Sequence, residues 1–129
     1  ILLFHGPDAF SRAEEIAKLK QDTDPVLADL STTTLDGRQI SVADLILACN
    51  TLPFLSRQHF VIVEGMAARQ GKALEEVVEY LPKVPETTTL IFSEDEPVDS
   101  KHPLFKLILA QGRERQGPLA LALHVALVE

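Results

Sequence analysis

Ile1-Leu2-Leu3-Phe4-His5-Gly6-Pro7-Asp8-Ala9-Phe10-Ser11-Arg12-Ala13 is the stretch from which the fold can be read. Ile1 to Phe4 is an unbroken apolar run, so it predicts a strand buried on both faces, the mark of a central strand in a parallel sheet. Gly6-Pro7-Asp8 breaks the strand. A helix follows to about Lys20. Ser11 and Glu14 have capping-box spacing, and Asp8 is the alternative cap. Strand, sharp break and helix make the first half of a βαβ unit.

Working outward, the same alternation returns. Asp29 to Leu35 carries Ser31-Thr32-Thr33-Thr34, whose β-branched residues predict an edge strand. Asp36-Gly37 reads as a turn. Ser41 caps the next helix, with Val42, Leu45, Ile46 and Cys49 at i, i+3, i+4 and i+7. His59 to Val63 is a buried strand. Leu74, Val77, Val78 and Leu81 mark a helix closed by Pro82. Thr87 to Phe92 is a strand. Leu104 to Ala110 is a helix stopped by Gly112. Leu119 to Val128 reads as a strand, although its Ala/Leu repeat also suits a helix. Helices between successive apolar strands imply right-handed crossovers and a doubly wound α/β fold. Its strands are expected near 1–5, 28–35, 59–64, 88–93 and 120–128, all parallel, with the first central.

Composition narrows the function. The 129 residues suffice for one domain with a substantial core. With 46% hydrophobic residues the chain is globular and not disordered. No apolar run reaches membrane-spanning length. The start has neither a basic region nor a small-residue cleavage site, so no secretion signal is expected. Both ends lie at apolar runs, which predicts a longer parent protein. A single cysteine, Cys49, excludes an intramolecular disulfide and suits a reducing cytoplasm. The formal charge of −7 argues against the domain gripping a nucleic-acid backbone by itself.

A doubly wound sheet binds ligands at the carboxyl ends of its strands. The first such end holds the register Gly6-Pro7-Asp8-Ala9-Phe10-Ser11-Arg12-Ala13. A working phosphate loop reads G-x-x-x-x-G-K-[ST], with backbone N–H groups and a lysine for phosphate and a hydroxyl for Mg²⁺. The frame matches and the chemistry is absent. Ser11 replaces the second glycine, and its Cβ disfavours the left-handed backbone. Pro7 removes a donor. Arg12 keeps a charge without the compact ammonium. Ala13 cannot hold a metal. Asp8 and Glu14 add negative charge where an anion would sit. The segment is then either a degenerate phosphate loop or an ordinary capped strand–turn–helix. Neither form is expected to hydrolyse nucleotide.

Other chemistry is thin. Glu64 stands alone after its strand, without the acidic pair that would hold a metal. Ser93-Glu94-Asp95-Glu96 is expected to be a solvated loop rather than a cation site. His5, His59, His102 and His124 lack zinc-ligand spacing. No G-x-S-x-G elbow occurs. No catalytic residue, metal or cofactor is predicted.

Thr51-Leu52-Pro53-Phe54-Leu55-Ser56-Arg57-Gln58 is the other informative stretch. Pro53 cannot continue the preceding helix, so Leu52, Pro53, Phe54 and Leu55 lie on a bend. They are either an outward apolar tip for a partner or side chains folded back into the core.

Taken in order, these segments resemble one family. The strand, the degenerate loop, the Thr-rich strand and the capped helix lead to Leu52-Pro53-Phe54-Leu55-Ser56-Arg57-Gln58 and the strand ending at Glu64. Pro82-x-x-Pro85, Thr89-Leu90-Ile91-Phe92 and Pro103-Leu104-Phe105-Lys106 complete the pattern. It is similar to the N-terminal domain of the delta subunit of bacterial DNA polymerase III, over nearly the whole chain. The resemblance implies a three-layer, AAA+-like domain of P-loop type with a five-stranded parallel sheet, spanning 1–129, with lid and collar domains elsewhere in the parent. It implies a cytoplasmic clamp-loader subunit that binds the sliding clamp (beta subunit) and holds the ring open without hydrolysing ATP. Other loader subunits would be further partners. DNA would be contacted by the parent complex, whose holoenzyme has DNA-directed DNA polymerase activity. Position by position, Pro53 and Phe54 fall on the two anchor residues of the family. The first of these is often leucine, so Leu52 and Leu55 are both candidates to replace it. The rival functions are an active ATPase of the same fold and a receiver-like domain. The first is opposed by Ser11 and Ala13. The second is opposed by His5-Gly6 where an acidic pair belongs.

Overall fold

The computed structural model describes the chain except residues 7, 22, 23, 54–57, 97, 100, 115–124 and 128–129, and gives only the backbone for 111–114 and 125–127. Its elements are β1 (Leu2–His5), α1 (Ala9–Leu19), α2 (Pro25–Leu30), β2 (Thr32–Asp36), α3 (Val42–Asn50), β3 (His59–Glu64), α4 (Lys72–Tyr80), β4 (Thr88–Glu94), α5 (Pro103–Glu114) and β5 (Val125–Leu127). Short 3-10 turns follow β3 at Met66–Ala68 and α4 at Leu81–Lys83.

Every strand pairing is parallel, and the order across the sheet is β2-β3-β4-β1-β5. Four strands, β2 to β1, make the body of the sheet. The three-residue β5 lies beyond β1, pairing Leu3 with Val125 and His5 with Leu127. The Thr-rich β2 is at the edge, as its composition predicts. β1 is interior as expected, and the middle position belongs to β4.

Two apolar layers follow from strand alternation. Leu3, Val61, Val63, Leu90 and Phe92 pack on one face with Leu45 and Cys49 of α3, Val77 and Tyr80 of α4, and Leu104 and Ile108 of α5. Leu2, Phe4, Phe60, Ile62 and Ile91 face the other way, under Ile16 and Leu19 of α1. α1 has no fully buried residue, so this second layer is thin. Lys20 adds cover, its Nζ lying 5.6 Å from the centre of the Phe60 ring.

Several boundaries differ from the sequence reading. The segment from Asp29 begins as helix: Asp24 caps α2 through Val26 N at 2.9 Å, and Pro25 takes the first helical position, where its missing N–H costs nothing. The strand starts only at Thr32. Asp8, not a Ser11–Glu14 box, caps α1, accepting from Phe10 N at 3.1 Å and Ser11 N at 3.2 Å. Gly112 does not stop α5, which runs to Glu114. A glycine inside a helix costs only about 1 kcal/mol relative to alanine, too little to end a helix by itself. Ser41 caps α3 as read, in a reciprocal box with Asp44. Of the residues placed on the apolar stripe of α3, Leu45 and Cys49 are buried and Ile46 is exposed. The reading of 119–124 lies outside the described residues.

Candidate functional site

The topology puts a crevice at the carboxyl ends of β1 and β4. These strands are neighbours, and the helices that leave them, α1 and α5, cover opposite faces. That divergence is the usual ligand position of a doubly wound sheet. Gly6 N donates to Glu94 O at 3.1 Å and holds the two ends together. Gly6 has φ of 136°, a backbone glycine adopts easily.

The predicted phosphate-loop residues meet here, engaged with one another. The Ser11 hydroxyl donates to Asp8 Oδ2 at 2.8 Å. That bond and those from backbone N–H groups hold the Asp8 carboxyl below its ordinary pKa, against an opposing effect of desolvation. Arg12 Nε donates to Ser93 Oγ at 3.2 Å, and its Nη1 donates to the Gly6 carbonyl. Ala13 lines the groove beside them and offers no polar atom. The groove, about 570 Å³, also takes in Asp36, Arg38, Glu64 and Asp95. Three carboxylates thus face two guanidinium groups. Arg38 Nη2 and Asp95 Oδ2 are 3.7 Å apart and well exposed. Among the described residues no group of acidic, His or Cys side chains has metal-site geometry.

Glu94 departs from the expected solvated acidic loop. It is 4% exposed and accepts from Ala67 N at 2.9 Å, at the 3-10 turn after β3. Burial pushes its carboxyl up, with hydrogen bonds from the turn opposing. Its signal is tertiary and was not available from an acidic run alone. His5 and His59 are buried. Burial lowers both. His5 Nδ1 accepts from Val98 N at 2.8 Å.

The second candidate lies at the far end of α3. Asn50 Nδ2 donates to Ile46 O at 2.8 Å, and Thr51 Oγ1 donates to Leu47 O at 2.9 Å, closing the helix end. Thr51 then turns to an extended conformation. Leu52 is 79% exposed, and Pro53 is half-buried. Phe54 and Leu55 lie outside the described residues. The returning chain is fastened at Gln58, whose amide donates to Glu86 O at 3.1 Å and whose carbonyl accepts from Thr89 Oγ1 at 2.9 Å. His59 sits below, with Nε2 3.0 Å from Thr33 Oγ1 and no bonded partner for Nδ1 among the described residues. Leu47, 72% exposed, lies one turn behind Thr51. Sequence reading passed over it, although its place off the Val42–Cys49 stripe was the available signal.

These features define a parallel α/β domain with a polar groove at its strand ends and an exposed leucine, Leu52, just past the end of α3. The fold is similar to clamp-loader proteins. It superposes on the DNA clamp loader delta protein (YqeN) of Bacillus subtilis with a TM-score of 0.66 at 17% identity, over 99% of this chain and 37% of that one. A DNA polymerase III gamma subunit-related protein of Thermotoga maritima gives 0.59 at 19% identity, over 99% of this chain and 40% of that one. The chain therefore spans well under half the length of either. The search of curated proteins found no match. The family model for the DNA polymerase III delta subunit matches residues 2–114. The chain belongs to that family.

Proposed function

We propose that this domain is the clamp-contacting part of a clamp-loader delta subunit in DNA replication. Its apolar tip, Leu52, Pro53, Phe54 and Leu55, enters a hydrophobic pocket on the sliding clamp and helps hold the ring open. The observation that carries the reading is the exposure of Leu52, at 79%, on a bend whose two feet are fastened at Asn50 and Gln58. A large apolar side chain in water has a free-energy incentive to be covered. A fastened base lets it be covered with little further loss of conformational entropy.

The groove at the strand ends fits a role without catalysis. Ser11 is bonded to Asp8, Arg12 to Gly6 and Ser93, and Ala13 has no ligand atom, so the degenerate AAA+-like loop neither binds nor hydrolyses ATP and needs no cofactor. Ring opening comes from preference: a tip can favour an open ring only by binding it more tightly than the closed one. The parent would be a cytoplasmic protein with lid and collar domains. It would work beside other loader subunits in a holoenzyme whose polymerase activity resides elsewhere. Contact with DNA would fall to the complex and not to this acidic domain.

The test is capture of a purified sliding clamp by this chain, with Phe54 and with Phe54→Ala. Equal capture by both would remove Phe54 from the contact and leave Leu52 and Leu55 to be tested in its place. No capture by either would remove the clamp as partner.

A further inference from the structure

We infer that Arg12 is an internal ligand of the loop after β1, its guanidinium holding the strand-end crevice in order in the absence of nucleotide. A phosphate-binding loop turns backbone N–H groups toward its anion. Here the loop offers Arg12 an acceptor instead, the Gly6 carbonyl. The same guanidinium donates through Nε to Ser93 Oγ at 3.2 Å. Gly6 follows β1 and Ser93 belongs to β4, and their strands are paired through Phe4 and Ser93. One side chain on α1 therefore joins the loop to the neighbouring strand, where the helices diverge to opposite faces.

The chemistry needs arginine. Two donors must leave one planar group in different directions, which a guanidinium provides and an ammonium on a flexible stem does not. The surroundings favour a cation as well. Glu64 and Asp95 line the same groove, and Asp8 lies near enough for the Arg12 charge to help lower its carboxyl. The domain thus fixes its own strand-end crevice, and order there depends on Arg12 and not on nucleotide.

Hydrogen exchange on the whole chain tests this. Arg12→Ala should speed exchange of the Gly6 amide, which donates to Glu94 O, and of the first turn of α1 by at least about tenfold, as expected for loss of charge-assisted bonds. Amides of β3 should be unchanged. Arg12→Lys should show most of the same acceleration, and Ser93→Ala a smaller one. Millimolar ethylguanidinium should restore protection to Arg12→Ala, whereas ethylammonium should not. Mg-ATP should protect none of these amides in the parent chain. Unchanged exchange in Arg12→Ala, equal rescue by both cations, or protection by Mg-ATP would each overturn the inference. If Arg12→Ala does not fold, Arg12→Lys and Ser93→Ala decide, and parent-like exchange in both would overturn it.

Discussion

The side-chain amide of Asn50 donates to the Tyr80 hydroxyl at 3.0 Å, tying the last residue of α3 to the last residue of α4. Thr88 adds a second tie from below, its hydroxyl donating to the Cys49 carbonyl. The end of α3 is therefore fixed to the sheet and to the neighbouring helix before the chain leaves at Leu52.

Tyr80→Phe removes the acceptor and keeps the ring. Asn50 retains its bond to Ile46 O, so the loss is one hydrogen bond. The expected cost is about 1 kcal/mol, read as a lower midpoint in urea with an unchanged slope. An unchanged midpoint would mean that the bond contributes nothing in solution.

Glycine is needed at Gly37 for space. A Cβ there would lie 2.7 Å from Met66 N, 2.8 Å from Val63 Cγ1 and 2.9 Å from Glu64 O, two of the three being backbone atoms that cannot turn away. Gly71 has φ of +73° and nothing near its would-be Cβ. Gly37→Ala should therefore cost about 2 kcal/mol or more, and Gly71→Ala about 1 kcal/mol from backbone strain alone. Thermal unfolding of the two variants side by side checks the order, and the reverse order would refute the crowding argument.

The buried ionisable groups set two opposite pH trends. The folded pKa of Glu94 is raised, first by burial. Its contribution is thus fully present below the unfolded carboxyl value, about 4.3, and is lost as pH rises through the folded value. Glu94→Gln keeps an acceptor for Ala67 N and removes the titration. The variant should gain stability relative to the parent as pH rises from about 4 to 7. The folded values of His5 and His59 are lowered by burial. Their contribution is complete above the unfolded value near 6.5 and is lost as pH falls through the folded values. Urea unfolding across pH 4 to 8 should show both trends. A parent–variant difference for Glu94→Gln that does not change with pH would contradict the first.

Much of this fold was legible because its strands are short apolar runs between breakers. Ile1 to Phe4, His59 to Val63 and Leu90 to Phe92 could be little else. Pro25 beside Asp24 carries a helix-start signal that the sequence reading left unused, and the strand based on the Ser31–Thr34 run begins later than expected, at Thr32. Local pattern could not give the inward turn of Glu94, whose partner Ala67 is remote in sequence and reached only through the sheet. At the tip, Pro53 marked the bend. The exposure of Leu47 follows from its place off the Val42–Cys49 stripe, whereas Ile46, placed on that stripe, sits at its margin and is exposed as well.

The tip gives the most discriminating prediction. Leu52, at 79% exposed, has little core contact to lose, so Leu52→Ala should change stability by less than about 0.5 kcal/mol. Phe54→Ala should likewise cost the fold under about 1 kcal/mol if its side chain projects. A phenylalanine filling a partner's pocket is worth roughly 2 kcal/mol or more, so clamp binding should weaken at least about thirtyfold. Leu52→Ala and Leu55→Ala then identify the second anchor: the one that weakens binding by about tenfold while leaving unfolding unchanged replaces the leucine that Pro53 displaces. The measurements are clamp titration by calorimetry and thermal unfolding on the same variants. Intact clamp affinity with a melting temperature many degrees lower would make Phe54 a core residue, and the contact would then have to rest on Leu52 or Leu55.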